Sequence, residues 1–221
     1  MCLFVCFATK AIHLEAVSSL STPAFLAAFS RFVARRGCPK DMYSDNGTNF
    51  VGASKILKAE FRDFVRVSGA ALNAQYGSQG CNWHFNPARA PHMGGLWEAG
   101  VKSFKHHFRR IAGNLKYTFE EFSTLLARIE SCLNSRPLCP LTENVECLDV
   151  LTPGHFLVGG PLLAPPEVEI LEAPLSITNR WQRVKALNQR LCTRWKDDYL
   201  KDLQKRNKWK VLQKDLEVDD L

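Results

Sequence analysis

The sequence predicts an α/β fold, with a mixed sheet flanked by helices and a basic helical extension after it. Three observations carry this expectation. Two short apolar runs at the start pair as a hairpin, and the elements after them follow the order β-β-α-β-α-β up to residue 85. Beyond a proline-rich stretch, the chain then turns strongly basic while keeping a helical apolar stripe.

Residues 2 to 8 are apolar throughout and residues 11 to 17 alternate, so both read as strands joined tightly at Thr9 and Lys10. Thr22 is the expected N-cap of the first helix. Pro23 stands at its first helical position, Phe25, Leu26, Phe29, Phe32 and Val33 form its apolar stripe, and Arg35, Arg36 and Gly37 end it. Lys40 to Ser44 reads as a short strand that stops at Asp45-Asn46-Gly47, where Asn-Gly chemistry imposes a turn. Helical periodicity returns over residues 51 to 67 and a short strand over 81 to 85. After the Pro/Gly-rich stretch 86 to 95 a helix is expected from about Gly94 to Ile111. A further one opens on a capping box, Thr118 with Glu121, and stops at Ser135-Arg136-Pro137.

From Pro137 to Ser176 there are seven prolines and six acidic residues but no Lys or Arg, which reads as a Pro-rich acidic linker or surface wrap over 137–176. Ile177 to Lys210 carries eleven Lys/Arg against three Asp, and Trp181, Val184, Leu187, Leu191, Trp195 and Leu203 keep a helical stripe. The expected organisation is therefore a core over 1–136, the linker over 137–176, a basic amphipathic helix over 177–209 and a short tail over 210–221.

Composition narrows the function classes. With 221 residues and 46% hydrophobic content the chain can bury a full core. A net charge of +7 favours polyanionic partners. The eight cysteines are scattered singly, with neither a Cys-x-x-Cys pair nor zinc-type spacing, as expected of reduced thiols in an intracellular protein. The apolar opening lacks a basic leader and no stretch approaches membrane-spanning length, so no membrane partner is expected.

Two carboxylates stand where phosphodiester chemistry would need them. Asp45 closes a strand, a position from which a side chain reaches an open site. By itself Asp-Asn-Gly is also a common turn. Glu98 lies in the first turns of its helix. There Trp97, Val101, Phe104, Phe108 and Ile111 form the packing stripe, and Glu98, Lys102, Lys105 and Arg109 repeat the same spacing about 100° around the axis. That second face can be an ordinary solvated one with Glu98 and Lys102 as a helix pair. Alternatively, Glu98 points to a metal site and the cations beside it contact DNA phosphates. His92, in the loop Pro91-His92-Met93-Gly94-Gly95, is a further candidate contact.

The segments YSDNGTNFVGA (43–53) and PHMGGLWEAGVKSFK (91–105) resemble the second Asp and the Glu of the catalytic triad in retroviral-type integrases, most closely those of the Pao/BEL group of LTR retrotransposons. RRGCPK (35–40), LTPGHFLVGGPL (151–162) and the basic Trp-containing pattern between residues 180 and 209 extend the resemblance over almost the whole chain. It implies an RNase H-like fold in which Asp45 and Glu98 serve as catalytic metal ligands for two Mg²⁺ (or Mn²⁺) ions. Asn46, His92, Lys102, Lys105 and Arg109 would lie on the DNA. It also implies DNA end processing and joining to target DNA, homo-oligomeric assembly and nuclear action.

The chain departs from the family pattern in ways that bear on activity. CLFVCFA corresponds to the family's second strand, so the first strand and its Asp are missing, and Glu15 falls on a strand away from the site. Loss of the central strand is expected to leave its two neighbours with unpaired facing edges and the chain catalytically incomplete. The zinc module that precedes the core in the family has no counterpart, and Lys210 to Leu221 resembles only the entry to a small C-terminal barrel. Two other readings stand beside this one: a host-retained, non-catalytic module binding nucleic acid or protein, and a related RNase H-like nuclease or transposase.

Overall fold

The computed structural model describes residues 1–67, 80–87, 95–112, 115–142, 149–162, 167–170 and 179–203. It is a mixed α/β structure. In chain order the elements are β1 (Cys2–Val5), β2 (Ile12–Glu15), α1 (Thr22–Arg36), β3 (Asp41–Ser44), α2 (Thr48–Val67), β4 (Asn82–Phe85) and α3 (Gly95–Ala112). They continue with α4 (Phe119–Asn134), β5 (Cys139–Pro140), β6 (Val150–Leu151), α5 (His155–Val158) and α6 (Arg180–Leu203).

β1 and β2 form an antiparallel hairpin with Leu3 opposite Leu14 and Phe4 opposite His13. Lys10 takes a positive φ of 57° in its turn, where its amide donates to Cys6 O. β3 and β4 pair in parallel, with Met42 opposite Trp83. Among the described residues β1 and β3 do not pair and each ladder has two strands, in line with the unpaired edges expected where a central strand is missing from the mixed sheet.

Alternation along β1 feeds two apolar clusters on opposite faces of the strand. Phe4 joins Phe25 and Phe29 of α1, Ala53 of α2 and Trp83 of β4. Leu3, facing the other way, packs against a second cluster of Leu14, Phe104, Leu125, Leu126, Ile129, Val184, Leu187 and Leu191. The basic helix α6 thus buries its apolar stripe in the same core as β2, α3 and α4. Each of these large side chains contributes about 1.5–3 kcal/mol by leaving water. Trp181, expected on the same stripe, is instead 54% exposed, with the Arg128 and Lys185 cations 5.9 and 5.4 Å from its ring centre.

Local chemistry explains the helix ends. Ser21, one residue before the expected Thr22, caps α1 by accepting from Ala24 N, and Gly37 ends it at φ 86°. Thr22 instead lies against Gly52 of α2, where a Cβ would approach its hydroxyl to 2.5 Å, so glycine is what lets the two helices cross this closely. α4 opens on the complete Thr118/Glu121 capping box. In the proline-rich stretch, β5 and β6 form a short antiparallel bridge, and the Gly154 amide donates to Asn134 O at the end of α4. Glu167 bridges Arg128 of α4 and Lys185 of α6. The expected tail 210–221 lies outside the described residues.

Candidate functional site

Asp45 sits at the end of β3, exposed. Its backbone position is fixed from below: buried Trp83 donates its indole N–H to Ser44 Oγ at 2.9 Å, and that hydroxyl donates on to Asp45 O at 2.9 Å. Asp45 Oδ1 accepts the Gly47 amide at 2.9 Å, closing the Asp-Asn-Gly turn and leaving Oδ2 free of that bond. Asn46, expected on DNA, donates its side-chain amide to Asn86 O at 2.8 Å and so ties the loops after β3 and β4 together.

α3 crosses β1 where Gly100 meets Leu3; a Cβ at Gly100 would lie 3.0 Å from Leu3 Cδ2. One turn earlier, Trp97 stacks on Phe7 with ring centres 6.4 Å apart, and Phe7 meets Tyr43 of β3 at 5.1 Å. Tyr43 stacks in turn on His84 of β4 at 4.7 Å, and His84 Nε2 is 2.8 Å from Asp41 Oδ1. This aromatic relay joins the helix carrying Glu98 to the strand that ends in Asp45.

Glu98 is exposed, next to Trp97, and has no ion pair with Lys102. Lys102, Lys105 and Arg109 are exposed along the same helix, and Phe104 is buried behind them, so the two-faced pattern read from the sequence is present. His92 lies outside the described residues. Among the described residues, no three His, Cys, Asp or Glu side chains gather at metal-ligand spacing.

Between the two ladders lies a cleft of about 970 Å³, lined on one side by Met1 to Ala8 and on the other by Lys40 to Asp45, with Trp97 and Val101 above. The hydrogen-bond pattern shows which backbone groups face it. Cys6 bonds to Ala11 in the hairpin, so by antiparallel alternation Phe4 and Cys2 also pair with β2, while Leu3 and Val5 turn their backbone groups outward. Lys40 and Ser44 carbonyls accept from β4, so Asp41 and Tyr43 turn theirs the other way. The cleft is therefore flanked by two strand edges that pair with no other strand among the described residues.

A buried charged cluster that sequence reasoning missed joins β2 to α1 and α4. His13, 4% exposed, places its ring nitrogens 3.2 Å from Glu130 and 3.0 Å from Glu15. Glu15 also pairs with Arg31 and Arg35, and Glu130 with Arg36. Burial pushes the Glu130 carboxyl up, but hydrogen bonds from His13, the Leu14 amide and Arg36 outweigh it and leave it below the ordinary value. With every member partnered, the cluster is a structural tie between β2, α1 and α4. Only its alternating Ile-His-Leu-Glu pattern hinted at it.

Comparison with known proteins bears on the C-terminal segment alone. Residues 179–221 match a family of unknown function, DUF5641, and the match opens one residue before α6. No curated protein matches the chain. Among the described residues, no helix is long and apolar enough to cross a membrane.

Proposed function

We propose that the chain is the catalytic-core portion of an integrase-type polynucleotidyl transferase of the RNase H-like class, acting on DNA. The observation that carries the reading is the relay Trp97–Phe7–Tyr43. It brings the strand ending in Asp45 and the helix opening near Glu98 to one end of a cleft with open strand edges on both sides. An RNase H-like sheet places a further strand between two such edges, as the sequence resemblance leads one to expect. A strand there would satisfy the outward groups of Leu3, Val5, Asp41 and Tyr43.

The donor set bears on the metal question. Asp45 and Glu98 offer hard, exposed oxygens of the kind Mg²⁺ takes alongside water and substrate phosphates. The oxygen chemistry of these two side chains suits a loosely held divalent ion, and among the described residues no third carboxylate gathers with them. Such an ion would supply charge stabilisation and activation of the attacking oxygen. The chain's own contribution is to hold the Asp45 backbone through Trp83 and Ser44, and to present Lys102, Lys105 and Arg109 on the exposed face of α3.

Titration calorimetry with Mn²⁺ tests this. Weak binding that disappears in Asp45→Asn and in Glu98→Gln is expected. Equal heats from wild type and the double variant would sink the assignment. The exposed cations of α3 also favour a second reading, a non-catalytic nucleic-acid-binding module, which predicts DNA binding that EDTA leaves unchanged.

A further inference from the structure

A second basic site lies away from the Asp45 cleft, where the last turn of α3 crosses the middle of α6. The groove there, about 460 Å³, is lined by Arg110 and Ile111 of α3 and by Arg190, Thr193, Arg194 and Asp197 of α6. Arg110 and Arg194 are exposed and make no ion pair among the described residues. Arg190 and Arg194 stand one turn apart on α6 and both line the groove. Asp197 is the one acidic residue in the lining.

Beneath this groove lies His107, 5% exposed, its Nδ1 without a hydrogen-bond partner and 3.8 Å from Asp198 Oδ2. Burial lowers its pKa. Asp198 opposes that, while His106, Arg194 and Arg110 add to it.

We infer that the Arg110/Arg190/Arg194 groove is a phosphate-backbone contact for a nucleic acid strand. Guanidinium forks match phosphate oxygens bidentately. Arg110 follows Arg109 about 100° around the axis of α3, and the exposed cations from Lys102 to Arg110 extend over a rise of about 12 Å. That run exceeds one phosphate group and suits a polymer carrying a charge about every 3.4 Å along each strand. The inference rests only on the nucleic-acid side of the proposed function and involves no metal.

The test is fluorescence anisotropy of the full chain with a labelled duplex of about 20 base pairs, in EDTA, at salt from about 50 to about 200 mM. Arg110→Gln/Arg194→Gln is expected to flatten the dependence of log affinity on log salt by about 2, at roughly 0.9 for each phosphate no longer neutralised. Asp197→Asn, an exposed change that leaves the helix packing alone, is expected to tighten binding. Circular dichroism checks that each variant keeps its helices. Wild-type binding with unchanged affinity and slope in both variants would overturn the groove and leave the proposed function standing; a wild type that does not bind DNA at all would overturn both. If pyrophosphate or polyglutamate binds through the same arginines and DNA does not, the ligand is a free phosphate or an acidic chain and the inference is wrong.

Discussion

The side chain of Asn134 pairs twice with the backbone of Ile12: the Ile12 amide donates to Oδ1 and Nδ2 donates to Ile12 O, both at 2.8 Å. Asn134 is fully buried at the end of α4. One turn earlier, Glu130 accepts the Leu14 amide at 2.8 Å. Helix α4 therefore occupies the outer edge of β2 with side chains, in place of another strand. Asn134→Ala strands two buried backbone groups and is expected to cost about 2–4 kcal/mol, read as a lower urea midpoint at unchanged slope. A variant as stable as wild type would show that water replaces the amide.

Glu130 makes the fold acid-sensitive. Its carboxyl titrates below the ordinary value in the folded chain, and an unfolded glutamate titrates near about 4.3. The unfolded state therefore takes up the proton first. The stabilisation is complete above about pH 4.3 and disappears as the pH falls through the folded value. Glu130→Gln should lower stability at neutral pH by about 1–3 kcal/mol and flatten the acid limb. Parallel urea titrations of the two proteins from neutral pH downward measure both effects.

His107 gives a second, milder dependence at higher pH. Its folded pKa is depressed, so its neutral form is the one the α3–α6 contact accommodates. Stability is complete above the unfolded value of about 6.5 and falls as the pH drops from there through the folded value. NMR titration of the imidazole should show a midpoint below that of a free histidine. The thermal melting point of His107→Leu should lose its slope in that window.

A polypeptide segment that fills the cleft between β1 and β3 should stabilise the chain. Appending to Met1 a two-residue turn preceded by five or so alternating apolar residues offers one extra strand to Leu3, Val5, Asp41 and Tyr43. The expected result is a rise in Tm of about 5 °C or more. An unaltered Tm with a scrambled and an alternating segment alike would show that the cleft takes no strand.

Most elements were legible because their signals are local. Pro23 with its flanking hydroxyls, the Thr118/Glu121 box and the 4-3-4-3 stripe of α3 depend on residues within one or two turns of each other. The N-cap of α1 was displaced by one residue because Ser21 and Thr22 offer the same hydroxyl, and only the approach of Gly52 decides which of them is engaged in packing. What was not legible is tertiary. His107 lies off the apolar stripe and is buried only because α6 covers it. Asn134 and Glu130 look like polar residues of an amphipathic helix until β2 is placed against them. At the site, the positions of Asp45 and Glu98 were readable, whereas the Phe7 contact that relates their two elements is separated from both by tens of residues.

The way α4 covers β2 gives the hairpin a polarity in its unwanted associations. With Asn134 and Glu130 covering one flank, a second molecule can add its own hairpin only along the β1 flank, and once two have joined face to face no template is left on either. Misassembly of hairpin on hairpin thus stops at pairs, and only the outward edge of β3 offers a head-to-tail contact that would propagate.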